Sequence, residues 1–270
     1  MTQSIEQLAV IDFHAHIYPP KIAIKASSNV GHFYGIPMHH DGTAAALLES
    51  GKRAGITRFV VQSVATRPDQ VESINRFIAS VCQEDSAHFV GFGTLHPDTP
   101  NPAEEIARME ALGLCGVKLH PDFQQFHIDD PRMYPVYEML EDRLPILFHT
   151  GDHRYPYSHP RRLQKVLRQF PRLQAIAAHF GGWSVWDDGE RYLADTDCMI
   201  DTSSSLDFLP AERAVELIHR YGADRVLFGT DYPMWDHQEE WDRFSRLGLT
   251  DTEQQKICHD NACRILGKSW

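Results

Sequence analysis

The chain has no excess of basic charge, no long apolar run and no paired cysteines, and each absence closes off a class of protein. Only five of its 270 residues are cysteine. Cys82, Cys115, Cys198, Cys258 and Cys263 are odd in number, widely spaced and free of any CxxC pair, which argues against a disulfide framework and against a cysteine-built zinc site. Most of them are expected to be small buried hydrophobes. Lysine and arginine number 26 against 37 acidic residues, and the formal charge of −11 is spread along the chain. Nucleic acid and anionic membrane are therefore poor partners, and solubility is the plainest consequence. No apolar run approaches the roughly 20 residues of a membrane helix. The opening MTQSIEQLAV has neither the basic start nor the apolar stretch of a signal peptide. A cytoplasmic protein is expected. Low-complexity tracts, Gly/Ser linkers and composition shifts are also missing, so one domain over residues 1–270 is expected.

What is present is an alternation. Eight short apolar runs bounded by turn residues appear at LAVIDF, ITRFVVQSVA, HFVGFGTL, GLCGVKL, LPILF, LQAIAA, DCMIDTSS and DRVLFGT. Between them lie amphipathic stretches of helical length, among them TAAALLESGKRAG, DQVESINRFIASVCQE, PAEEIARMEALG, PVYEMLEDR, HPRRLQKVLRQF and PAERAVELIHRYG. The last ends on Gly222, where a C-cap glycine belongs. Eight buried strands alternating with helices in about 250 residues is the pattern of a TIM (β/α)8 barrel, with a doubly wound open sheet as the runner-up. The segment Tyr18–Asp41 is too long for an ordinary βα loop and is expected to lie across the barrel mouth.

The strand ends carry the chemistry. Residues two apart on a strand share a face, so in IDFHAH the side chains of Asp12, His14 and His16 point one way and both histidines can reach one ligand. The fifth run ends at His149, the sixth at His179 and the eighth at Asp231. In a barrel these C-terminal ends converge on one face, where active sites are built. On the last strand the inward positions are Leu227, Gly229 and Asp231, leaving a small residue below the carboxylate. A lone His-x-His pair is more often structural, a lone His149 or His179 more often a hydrogen-bonded core histidine, and Asp231 alone could be a turn residue. Polar residues falling by chance at four strand ends together is a poor explanation. Several imidazoles and a carboxylate suit a divalent transition metal, zinc first, with manganese, iron, cobalt or nickel as alternatives.

With these motifs in view, the chain resembles the amidohydrolase superfamily, in the amidohydrolase-related branch that also contains carboxymuconate-semialdehyde decarboxylase-like enzymes. The resemblance runs from IDFHAH through GVKLHP, LFHTG, HFGG and LFGTDYP to KICHDNACRILG. It implies His14, His16, His149 and Asp231 as metal ligands, and His179 either as a further ligand or as the group that polarises substrate and moves protons. Lys118 stands where binuclear relatives carry a carboxylated, metal-bridging lysine, but a role toward a substrate anion is as good a reading, and one metal per chain is favoured. His120, Lys118, Arg67, Arg154 and Trp183 are candidate substrate contacts, and Tyr18, Phe126, Tyr157 and Trp235 further candidates for the pocket. A bound divalent cation lowers the pKa of its water to about 7, so hydrolysis of a small amide, ester or lactone is the first expectation, with Asp231 and His179 as the catalytic pair. Metal-dependent decarboxylation of an unsaturated or aromatic acid is the alternative, and a silent metal-binding sensor the third. A small molecule is the expected partner, with a homodimer following the commonest symmetry.

Overall fold

The computed structural model describes residues 8–269; the first seven residues, on which part of the leader expectation rests, and Trp270 lie outside the described residues. In chain order the strands are β1 (Ile11–His16), β2 (Arg58–Gln62), β3 (Phe89–Gly91), β4 (Gly93–Thr94), β5 (Val117–Leu119), β6 (Ile146–Phe148), β7 (Ala175–Ala177), β8 (Met199–Asp201) and β9 (Val226–Leu227). The helices are α1 (Ala23–Tyr34), α2 (Ala44–Arg53), α3 (Val71–Glu84), α4 (Pro102–Ala111), α5 (Pro121–Gln124), α6 (Tyr134–Leu140), α7 (Pro160–Gln169), α8 (Trp186–Leu193), α9 (Ala211–Tyr221), α10 (His237–Ser245), α11 (Asp251–Gln255) and α12 (Asn261–Leu266). Each of the eight apolar runs contains a strand. The third is divided at Phe92 into β3 and β4, yet its hydrogen bonding to the fourth run continues, from Cys115 N–H to the Gly91 carbonyl and from Gly93 N–H to the Gly116 carbonyl.

The chain divides into two compact units, one of Met1–Val61, Glu84–Phe89 and Thr202–Trp270, the other of Gln62–Gln83 and Val90–Asp201. In the second unit β4 to β8 lie side by side and parallel, with Val117 opposite Ile146 and Ile146 opposite Ala175. The three-residue strands β5 to β8 are wholly buried, as parallel strands covered on both faces must be, and this explains why they read as continuous apolar runs. In the first unit β1 is joined to the segment after β9: Phe13 N–H donates to the Phe228 carbonyl, His16 N–H to the Tyr232 carbonyl, and Ala15 forms a parallel bridge with Tyr232.

All six amphipathic stretches are helical, and α9 ends as expected, with Gly222 at φ +89° and its N–H on the Ile218 carbonyl. The long segment Tyr18–Asp41, too long for an ordinary βα loop, holds a helix that the sequence reading did not identify, α1. The inward residues of α1 are Ala23, Ser27 and Gly31, four apart and small, while Ile24 is 71% exposed. A helix that buries only small residues shows no apolar periodicity, so its pattern is invisible to hydrophobicity. The segment is tied down by Ser27 Oγ–H to the Asp41 carbonyl and by His40 N–H to the Pro233 carbonyl. The cysteines are all free, but only Cys198 and Cys258 are fully buried, so the expectation that most are core residues holds for two of five. No helix among the described residues is long and apolar enough to cross a membrane.

Gly51, on the buried side of α2, allows that helix to lie against β2. A Cβ there would stand 2.6 Å from the Ile56 carbonyl oxygen and against the Phe59 ring. The ring can shift but the carbonyl cannot, so Gly51→Ala is expected to cost about 1–3 kcal/mol, as overpacked core sites do. A urea midpoint lowered at constant slope is the expected result; an unchanged midpoint would mean that the helix yields.

Candidate metal centre

In the first unit, β1 presents His14 and His16 from one face, as the strand parity requires, and their Nε2 atoms are 3.2 Å apart. Asp231 Oδ1 lies 3.4 Å from His14 Nε2 and 3.5 Å from His16 Nε2. Three donors at such mutual distances fit a single cation, since ligands held about 2.1 Å from a metal in tetrahedral array are about 3.4 Å apart. His14 is fully buried, while His16 and Asp231 are partly exposed. The backbone sets this up. Asp231 sits at φ +64°, a left-handed conformation uncommon for a residue with a side chain, and its N–H is bonded to the His14 carbonyl at 2.8 Å. Gly229 is the expected small residue beneath the carboxylate: a Cβ there would come within 2.9 Å of His14 Cβ.

Hydroxyls orient two of these three side chains. Ser203 Oγ is 3.0 Å from His14 Nδ1. With its proton on Nδ1 and donated to that oxygen, His14 keeps the Nε2 lone pair free for a cation. Ser204 Oγ–H donates to Asp231 Oδ2 at 2.6 Å and accepts from Trp235 Nε1–H at 2.8 Å. The Trp235 ring has Phe208 at 5.8 Å and His39 at 6.0 Å, so an aromatic wall stands beside the carboxylate. Burial and the charge of Asp231 push the Tyr18 phenol well above its ordinary pKa, so Tyr18 stays a neutral hydroxyl there. Its place depends on Gly42, at φ +83°, whose Cβ would lie 2.5 Å from Ser27 Oγ and 2.7 Å from the Tyr18 ring.

The second unit brings His149 and His179 together, with His149 Nδ1 3.0 Å from His179 Nε2. His149 Nε2–H donates to the Gly151 carbonyl at 2.8 Å, which leaves Nδ1 as the atom with a lone pair to offer. Burial, and then the neighbouring His120, His179 and Lys118, hold His149 far below the ordinary imidazole pKa, so it is neutral at neutral pH and ready to ligate. Gly151 is required at φ +81°, since a Cβ would meet the Gly182 and Trp183 backbone at 2.5 Å. His179 is at φ +62°, held by its N–H to Asp201 Oδ1 at 2.9 Å.

His120 is sandwiched flat between Phe123 and His149, with ring centroids 3.8 and 3.9 Å away. Asp122, Oδ2 3.4 Å from His149 Nε2, accepts from Ser158 Oγ–H at 2.5 Å, and its Oδ1 has no hydrogen-bond partner. Burial raises its carboxyl to about 7. His120, Asp122 and His149 form a second group whose atoms could hold a cation. Lys118 is 1% exposed. Arg154 forks onto Asp152 at 2.7–2.9 Å, with Trp183 and Tyr155 within 6 Å of its guanidinium. Arg67 is a surface residue forked onto Asp69. Phe126 is core, and the Tyr157 ring packs on His127. The residues that sequence reasoning missed are Ser203, Ser204, Asp122, Ser158 and Asp201. A faint signal existed for two of them, because the SSS that closes the seventh run places hydroxyls just past the end of that strand.

The sequence profile of the amidohydrolase family matches residues 11–268. A 2-amino-3-carboxymuconate-6-semialdehyde decarboxylase of Dictyostelium discoideum is 24% identical over 203 residues, which are 61% of this chain and 56% of that protein, so the chain spans little more than half of that relative. An uncharacterised TIM-barrel protein of Bordetella bronchiseptica superposes with a TM-score of 0.77 at 22% identity, covering 96% of this chain and 99% of the other. A dihydroxybenzoic acid decarboxylase from a Polaromonas species, solved with manganese and the inhibitor 2-nitroresorcinol, superposes with a TM-score of 0.76 at 16% identity, covering 96% and 97%. The fold is therefore the TIM barrel expected from the strand count, and the open doubly wound sheet is set aside. The profile match over nearly the whole chain means that this protein belongs to the amidohydrolase family.

Proposed function

We propose that this chain is a divalent-metal-dependent decarboxylase of an aromatic or unsaturated carboxylic acid. The observation that carries the metal part is the His14, His16 and Asp231 set, with three donor atoms 3.2–3.5 Å apart. The similarity to decarboxylases favours carbon dioxide release over the hydrolysis that stood first in the sequence reading. The family pattern adds His149 as a ligand and His179 as ligand or proton carrier, an assignment that rests on the strand-end pattern and on the neutral state of His149. Manganese or zinc would suit the donor set, one ion per chain, and would supply a fixed positive charge to hold an anionic substrate and spread its developing charge.

The protein's own groups do the rest. Asp231, with Oδ2 held by Ser204, has Oδ1 on the donor side, where a proton can be carried to and from the reacting carbon. The reaction balances as a carboxylate plus one proton giving carbon dioxide and a C–H bond at the carbon that held the carboxyl. Trp235, with Phe208 and His39 around it, offers an aromatic face beside that acid, which favours a flat unsaturated substrate. Metal-replete protein should be screened against hydroxybenzoates and unsaturated diacids in deuterated water, with hydrolysable amides, esters and lactones alongside. Carbon dioxide release, one deuterium at the vacated carbon and loss of both in Asp231→Asn is the expected outcome. Turnover of a hydrolysable substrate, with labelled water oxygen entering a new carboxylate and no carbon dioxide, would sink the proposal.

A further inference from the structure

Behind the donor set lies a buried carboxylate–imidazole pair that the proposed chemistry does not use. Asp12 and His237 are both 0% exposed. Asp12 is two residues before His14 on β1, and its Oδ1 accepts the backbone N–H of His14 at 3.0 Å and that of Thr230 at 3.0 Å. Its Oδ2 accepts the Thr230 hydroxyl at 2.6 Å and lies 3.1 Å from His237 Nε2. One carboxylate thus joins the strand that carries His14 to the residue immediately before Asp231. The two segments are also stitched by backbone, Asp231 N–H to the His14 carbonyl and His16 N–H to the Tyr232 carbonyl.

His237 is the first residue of α10, and every edge of its ring is engaged. Nε2 faces Asp12 and Nδ1 lies 2.8 Å from Ser50 Oγ on α2. Phe59 meets the ring edge-on at 5.6 Å, and Tyr232 lies against it at 5.6 Å. Ser50 is in turn 3.2 Å from His40 Nε2 and 3.3 Å from Asp236 Oδ2, and Asp236 receives Arg53 at 2.8 Å and caps α10 through the N–H of Gln238. A chain of polar contacts therefore runs inward from a half-exposed arginine, through two helices, to the carboxylate that clasps the ligand-bearing backbone.

We propose that Asp12 and His237 are positioning residues, which hold His14 and Asp231 at the separation that a divalent cation needs. A buried polar pair adds little to stability once its desolvation is counted, so a role in geometry is the better account of its presence beside three convergent donors. Nδ1 of His14 bonds to Ser203, which fixes ring rotation, while Asp12 fixes where the strand places that ring. The inference rests on reading His14, His16 and Asp231 as a metal site.

The test is metal affinity, measured by competing manganese or zinc against a chelator of known affinity, in variants shown by circular dichroism to be folded. Asp12→Asn keeps the side-chain shape but replaces an accepting oxygen with an amide nitrogen. His237→Phe keeps a ring and loses both polar contacts. Each is expected to weaken metal binding about 10- to 100-fold, and to shift the visible absorption of bound cobalt, which reports ligand arrangement. His237→Gln, whose amide can still donate to Asp12, is expected to recover much of the affinity, and it keeps the inference open to test if Asp12→Asn fails to fold. Folded His237→Phe that binds metal within twofold of the parent, with an unchanged cobalt spectrum, would overturn the inference and leave the pair a purely structural one. A parent protein that takes up no divalent metal at all overturns the metal reading itself, and the positioning inference with it.

Discussion

Protein purified without chelator is expected to carry close to one equivalent of divalent metal, and His14→Ala, His16→Ala and Asp231→Ala are each expected to lose nearly all of it. The three donor atoms lie 3.2–3.5 Å from one another, within reach of a single cation, so the affinity of the site depends on all of them. Removing one leaves two of these three donors, and the remaining ligands no longer fix coordination number or geometry. Elemental analysis of the variants against the parent reads the result directly. Because imidazoles must give up their protons to ligate, retention in the parent should also fall as pH drops through the histidine range, near 6.5. Parent-like metal content in all three alanine variants would show that these residues meet for another reason.

The strand-end chemistry was legible because it is local. In β1 the two-residue spacing of His14 and His16 determines a shared face before any tertiary structure exists, and Asp231 follows the last apolar run directly. Eight runs separated by helical stretches were enough to indicate a barrel. What could not be read depends on pairings distant in sequence. Ser158 reaches Asp122 across 36 positions and Ser203 reaches His14 across 189, and serine is too common in loops for either to stand out. His237 gave no signal, because a histidine at a helix start reads as a surface residue until Asp12 is found against it. Arg67 is a further case, a cation after a strand whose exposed fork onto Asp69, two residues on, the sequence pattern did not indicate. Helix α1 was hidden by its small inward residues, and hydropathy has no means of finding such a face.

His179→Asn is expected to separate holding metal from doing chemistry. The backbone at His179 lies at φ +62°, and asparagine is among the side chains that tolerate this conformation best, so the turn and its N–H bond to Asp201 should survive the change. Asparagine keeps a polar tip but cannot accept and return a proton near neutral pH, which is the property that general acid–base work needs. With Nε2 3.0 Å from the lone-pair atom of His149, the imidazole is placed to pass a proton or to steady a carboxylate, and the substitution leaves His14, His16 and Asp231 themselves unchanged. Metal content is therefore expected within about twofold of the parent, with kcat reduced roughly a hundredfold or more and KM changed far less, as removal of a proton-transfer group predicts. The pH–rate profile should also lose the limb that the imidazole contributes. Metal lost in step with activity would instead make His179 a ligand, since a weakened site and an idle catalyst differ in that one measurement. Full activity with full metal would remove His179 from the chemistry altogether, leaving its buried ring as packing for His149.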